Sequence, residues 1–157
     1  MTPSEYQALA QFRYLIRRYL NNTETAARSV GLEPQHYTCL LAVRGLPAGE
    51  PATIRTVSER LQIRHHSAVE LVDRMEKRGL LRRERSDQDR RNVLLRVTPR
   101  GERLLSRLVR HRMAELKVTG PALTRALQSV ITAAPRKGRV RNTGAVSPAR
   151  QRRAKVA

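Results

Sequence analysis

Between Thr53 and Val97 the chain packs two helical periods, a three-residue turn and a hairpin into one short span, and few folds accept that order. Thr53 can cap a first helix in which Ile54, Val57 and Leu61 recur at helical spacing and stop at Gln62-Ile63-Arg64. A second helix is expected from about His65 to Lys77. It sets Ala68, Leu71, Val72 and Met75 on one face and His66, Glu70, Arg74 and Lys77 on the other. Gly79 supplies the left-handed residue that ends this helix, and Leu80 to Arg85 and Asn92 to Val97 read as two short strands joined by a polar turn. A helix sized for a major groove, followed by a hairpin that reaches beside it, is the pattern of a winged helix-turn-helix. The expected fold class is therefore mainly α, with a small β-hairpin wing and flanking helices.

The flanks supply those helices. Thr2-x-x-Glu5 is a capping box with Pro3 at the first helical position, and Tyr6, Leu9, Phe12, Leu15, Ile16 and Tyr19 then recur every three or four residues. A second helical stretch is expected from about Thr23, ending before Gly31. Pro34 opens another helix through Tyr37, Leu40, Leu41 and Arg44, closed by Gly45, and the loop Leu46 to Pro51 leads into the helix-turn-helix. Thr98-Pro99 starts a helix marked by Leu104, Leu105, Leu108 and Met113 to about Leu116. Gly120-Pro121 predicts a break, with one last short helix through Leu123, Leu127, Val130 and Ile131. From residue 135 onward the chain has almost no large apolar residue and cannot repay the entropy of folding, so 135–157 is expected to be a disordered basic tail. The expected organisation is one domain over 1–134. Residues 1–30 and 99–132 are its flanking helices, 34–97 its core, and 81–97 the wing.

Charge narrows the class of partner. The formal net charge is +19, and residues 116–157 hold ten basic residues and no acid, so a polyanion is the expected ligand. All five aromatic residues, Tyr6, Phe12, Tyr14, Tyr19 and Tyr37, fall in the first 40 positions. The basic half thus offers no ring on which unpaired bases could stack, which favours double-stranded DNA. A non-specific nucleoid-associated or RNA-binding basic protein is the rival reading. No Ser/His/Asp spacing, paired acidic motif or glycine-rich phosphate loop is present, so neither an enzyme nor a cofactor is expected. No apolar run approaches membrane length, and Pro3, Ser4 and Glu5 replace a basic then apolar leader. A cytoplasmic protein without membrane contact is expected. The single Cys39 excludes an internal disulfide.

The residues expected to touch base edges are those of the N-terminal half of the second helix, Arg64, His65, His66, Ser67 and Glu70, with Arg74 on the same face. Arg83 and Arg85 on the wing, and Arg90 and Arg91 at its tip, are the expected backbone and minor-groove contacts. His65 and His66 point about 100° apart on a helix and do not share a metal ion. His36 and Cys39, one turn apart, with His111 as a third candidate, are read as packing residues.

Residues 71–101, LVDRMEKRGLLRRERSDQDRRNVLLRVTPRG, resemble the recognition-helix and wing segment of the MarR family of bacterial regulators. The DRR element followed by VTPRG is the specific part, and the similarity extends over about residues 5–132. The resemblance implies an obligate homodimer in which the first and the last two helices interlock, and a wing arginine, Arg90 or Arg91, in the minor groove. The amphipathic flanking helices, which one small subunit can hardly bury alone, point to a two-fold dimer on an inverted-repeat DNA site. It also implies a repressor released by a small aromatic or anionic effector, which on this chain would lie near Tyr14, His36 and Tyr37. Glu33 departs from the family's usual helix cap, the final helix is short, and the basic tail lies outside the family pattern.

The tail carries a prediction of its own. Arg136, Lys137, Arg139, Arg141, Arg150, Arg152, Arg153 and Lys155 have no acid beside them to offset their charge. Deleting 135–157 should lower affinity for random duplex DNA and shallow the log–log salt dependence by about 0.9 per lost phosphate contact. Superimposable salt titrations of the full and truncated chains would exclude a DNA role for the tail.

Overall fold

The protein is represented by a computed structural model that describes residues 1–85 and 93–133. Five helices and one hairpin follow in the order α1 (Pro3–Ser29), α2 (Pro34–Arg44), α3 (Ile54–Leu61), α4 (His65–Lys77), β1 (Leu81–Arg85), β2 (Val93–Val97) and α5 (Pro99–Ala133). The mainly α winged helix-turn-helix is as the sequence predicts. The wing-tip residues Arg90 and Arg91 and the tail 135–157 lie outside the described residues.

Local chemistry accounts for most boundaries. Thr2 and Glu5 form the capping box of α1, and the Thr53 hydroxyl accepts from the Thr56 amide at the start of α3. The turn between α3 and α4 is made by Gln62, whose φ of 55° places a non-glycine residue in the left-handed region. Its side chain stabilises that conformation by donating back to the Glu59 carbonyl at 2.7 Å. Gly79, at φ 65°, ends α4 and sends Leu80 back toward the core, where its amide donates to the Met75 carbonyl.

Two expectations are corrected. No separate helix begins near Thr23, because α1 runs unbroken to Ser29, and Thr23 and Thr25 return their hydroxyls to the Tyr19 and Asn21 carbonyls within the same helix. Nor does Gly120-Pro121 break the last helix, for α5 continues through both residues. Proline removes one backbone donor and crowds the preceding turn, a local penalty of about 3 kcal/mol. Packing of α5 along α1 is spread over many turns and outweighs a defect confined to one of them.

The core lies where α2, α3, α4, the hairpin and the start of α5 meet. Leu40, Val57, Ala68, Leu71, Val72, Met75, Leu80, Leu81, Leu95, Leu105 and Leu108 are all buried there. The strands pair antiparallel with Leu81 opposite Val97 and Arg83 opposite Leu95. The wing is fixed to α5 through Thr98, which donates to the Gly79 carbonyl at 2.6 Å and accepts from the Gly101 amide. A Cβ at Gly101 would collide with the Leu80 carbonyl oxygen, so only glycine permits this approach.

Farther along, α1 and α5 pack on each other away from that core. Arg112, 2% exposed, stacks over the Tyr19 ring at 4.6 Å, donates to the Tyr19 carbonyl and pairs with Glu115, which also accepts from Asn22. The same two helices expose Tyr6, Leu9, Tyr14, Leu20, Met113, Val118, Leu127 and Ile131. This is a large apolar surface for one small chain.

Two substitutions should move stability in opposite directions. Gly101→Ala should destabilise the fold by about 1–3 kcal/mol, since the clash is with backbone. Pro121→Ala should stabilise it by up to about 3 kcal/mol through the restored helical hydrogen bond. Denaturant titration followed by circular dichroism reads both, and a neutral Gly101→Ala would show that the wing does not pack tightly on α5.

Candidate nucleic-acid interface

Helix α4 is divided lengthwise. Ala68, Leu71, Val72 and Met75 are each at most 1% exposed and hold it against the core. The opposite side presents Arg64, His65, His66, Glu70 and Arg74 to solvent, with Ser67 half-buried at its edge. The N-terminus of α4 has no side-chain cap and no acid in its first turn, so its free amides add positive potential beside Arg64. The only ion pair on this face among the described residues joins Glu70 and Arg74, at 4.0 Å and well exposed, which leaves both free to exchange partners. Donors, acceptors and a carboxylate thus stand together on one convex strip.

The wing is anchored by a pairing that residue spacing did not reveal. Arg83 sends one guanidinium nitrogen to Asp73 at 2.6 Å and another to Glu76, while its own amide donates to Glu76 at 3.0 Å. Asp73 and Glu76 lie one turn apart on the flank of α4 that faces β1. Burial alone would lower the Arg83 pKa, but the hydrogen bonds and charges of Asp73 and Glu76 hold it above its ordinary value. Arg83, expected on sequence as a DNA contact, is held by Asp73 and Glu76 and so links the wing to α4. The two acids, one turn apart beside a basic strand, were the available signal for it.

On the other face of the hairpin Arg82 stands directly opposite Arg96, and Glu84 pairs with both. Arg85 is exposed at the end of β1 and has no ion pair among the described residues. Among the described residues the hairpin therefore uses most of its charge internally and leaves Arg85 exposed at the end of β1.

The residues expected to hold an effector do not come together in one place. His36 and Tyr37 are buried at the start of α2, whereas Tyr14 is 57% exposed on α1 and lines neither of the recesses that the other two border. Tyr37 borders a recess of about 280 Å³ with Leu20, Thr23, Leu61 and Ile63, and burial raises its phenol pKa. His36 borders a second, more polar recess of about 560 Å³. Cys39 is fully buried, which pushes its thiol up to about 12 and makes it an inert core residue. Among the described residues no group of three or more His, Cys, Asp or Glu side chains is arranged to hold a metal ion. No helix among them is long and apolar enough to cross a membrane.

Comparison with known proteins supports the same architecture. Residues 30–92 match the model of the MarR family. No curated protein sequence matches the chain. Among solved structures, AbsC, a MarR family transcriptional regulator from Streptomyces coelicolor, superposes with a TM-score of 0.67 at 20% identity, covering 85% of this chain and 90% of that one. CouR from Rhodococcus jostii RHA1, bound to p-coumaroyl-CoA, gives 0.59 at 25% identity over 75% and 87% of the two chains. A single-residue mutant of MepR from S. aureus, bound to an oligodeoxyribonucleotide, gives 0.57 at 16% identity over 81% and 96%. The family model thus matches the stretch from just after α1 to just before β2, and the MarR-type fold is shared along most of the chain.

Proposed function

We propose that the protein is a homodimeric transcription regulator that binds an inverted-repeat site in double-stranded DNA and represses until a small ligand releases it. The divided surface of α4 carries this reading. A helix held on one side by four buried side chains and offering Arg64, His65, His66, Ser67, Glu70 and Arg74 on the other suits a major groove. The wing, braced by Arg83, carries Arg85 exposed at the end of β1, and Arg90 and Arg91, which lie outside the described residues, are the proposed minor-groove contacts.

Dimerisation rests on the apolar surface of α1 and α5, which a second copy of the chain would cover. The fold-mate bound to an oligodeoxyribonucleotide supports DNA as the partner, and the one bound to p-coumaroyl-CoA supports a small-molecule effector. The recess beside Tyr37 is the preferred place for an apolar or aromatic part of such an effector. In this reading residues 1–134 form the functional domain, the tail adds non-specific phosphate contacts, and the protein acts in the cytoplasm without catalysing a reaction.

Selection of bound duplexes from a random library tests the proposal. It should return a palindrome whose half-sites lie about one helical turn apart, ~10 base pairs. Absence of any preferred sequence would favour a non-specific architectural protein instead. Arg91→Ala should cost about 1–3 kcal/mol of specific binding. His66→Ala should change base preference, whereas Arg83→Gln should weaken binding and leave preference intact. Sedimentation should give a dimer at micromolar concentration, and a folded monomer there would overturn the assembly.

A further inference from the structure

A recess of about 560 Å³ opens where the end of α1, the start of α2 and the last turn of α4 meet, and all its lining residues but Pro34 are charged or polar, their aliphatic stems forming much of the wall and their polar ends the rest. Arg28, Arg74, Lys77 and Arg78 contribute four cations, against the carboxylates of Glu24 and Glu33. The carboxylates are weakly engaged, Glu33 with Arg78 at 3.6 Å and Glu24 with Arg28 at 3.4 Å, and both pairs are solvent-exposed. Exposed pairs of this kind exchange readily for a better acceptor. Lys77 has no ion pair among the described residues.

Two further features favour a multiply charged anion. The N-terminus of α2 faces the recess through Pro34, Gln35 and His36, and it has neither a side-chain cap nor an acid in its first turn. Its unpaired amides therefore present the positive end of the helix dipole. His36 also lines the recess, is 4% exposed, and has a buried Nδ1 without a hydrogen-bond partner. Burial and the nearby Arg78 and Arg74 lower its pKa against the opposing pull of Glu33, which favours the neutral ring as a hydrogen-bonding group.

A simpler role for Arg74, Lys77 and Arg78 is to complement the negative end of α4, but that end carries only about half a unit charge. Three cations there exceed the requirement, and Arg28 comes from a different helix. A single carboxylate would leave part of the excess unbalanced, whereas a phosphate dianion matches it and supplies several acceptor oxygens for guanidinium donors.

We propose that this recess binds the phosphate group of a small phosphorylated molecule and that binding opposes attachment to DNA, because Arg74 and Lys77 belong to both the recess and the exposed side of α4. The opposition rests on the reading of α4 as the DNA-facing helix. Occupancy of the recess itself does not.

Calorimetric titration of the full-length protein with inorganic pyrophosphate, at ionic strength held constant with sodium chloride, tests the site. One saturable site per chain is expected. Arg78→Gln and Lys77→Gln should each weaken it about tenfold, the loss of one charge-assisted hydrogen bond. His36→Gln, checked for folding by circular dichroism, should weaken it as well, while Arg103→Gln on the outer side of α5 should not. No saturation by ~10 mM, or equal weakening by Arg103→Gln, overturns the proposal. On a selected duplex, pyrophosphate should reduce affinity more than chloride does at equal ionic strength, and Arg78→Gln should remove that sensitivity. If Arg78→Gln instead abolishes duplex binding and pyrophosphate never binds the free protein, the recess holds a DNA phosphate and the proposal fails. If no duplex is bound at all, the DNA reading fails, and the calorimetry alone decides whether the recess is an anion site.

Discussion

Burial of one side of α4 is the constraint on which the rest of the structure depends. Ala68, Leu71, Val72 and Met75 leave the helix no rotational freedom about its axis, since a turn in either direction would bring charged residues into the core. The orientation of His66, Glu70 and Arg74 is thereby set without any contact of their own to the core. The same anchorage fixes Asp73 and Glu76 on the flank, and through them Arg83 and the angle of the hairpin. The apolar contacts thus determine where the charges point, and the ion pairs carry that orientation into the wing.

Much of this was legible in the sequence because it depends on neighbours along the chain. The capping residues Thr2 and Thr53, the left-handed Gly79 and the faces of α4 follow from spacing and side-chain chemistry alone. What was not legible depends on contacts between distant segments. Gly120-Pro121 is a strong local signal for a break, yet packing along α1 carries α5 through it. Arg83 looked like a free cation until Asp73 and Glu76, on another element, were placed beside it. Tyr14 and Tyr37 are alike in chemistry, but one is exposed on α1 and the other buried on α2, a difference that periodicity over so few aromatic residues did not separate.

Charge is distributed in two regimes. The hairpin and α3 neutralise most of their arginines locally, as in the pairs of Arg55 with Glu59, Arg60 with Glu50 and Arg96 with Glu84. Around α4 the balance shifts, and cations accumulate on its exposed side and at its C-terminal end. A uniformly basic surface attracts any polyanion equally. Local neutralisation next to concentrated charge gives the field a direction.

The unbroken course of α5 has a mechanical consequence. At 1.5 Å per residue its 35 residues make a shaft of about 52 Å, clamped at one end by Thr98 and Gly101 against the hairpin and emerging at the other among exposed apolar side chains. A tilt of about 5° at the clamp displaces the far end of such a shaft by roughly 4–5 Å, comparable to one helical turn. A rigid tilt of α5 beside the hairpin would be amplified along the molecule and passed to α1, on which α5 packs, and Pro121 beside Gly120 is the place where such a shaft bends most readily.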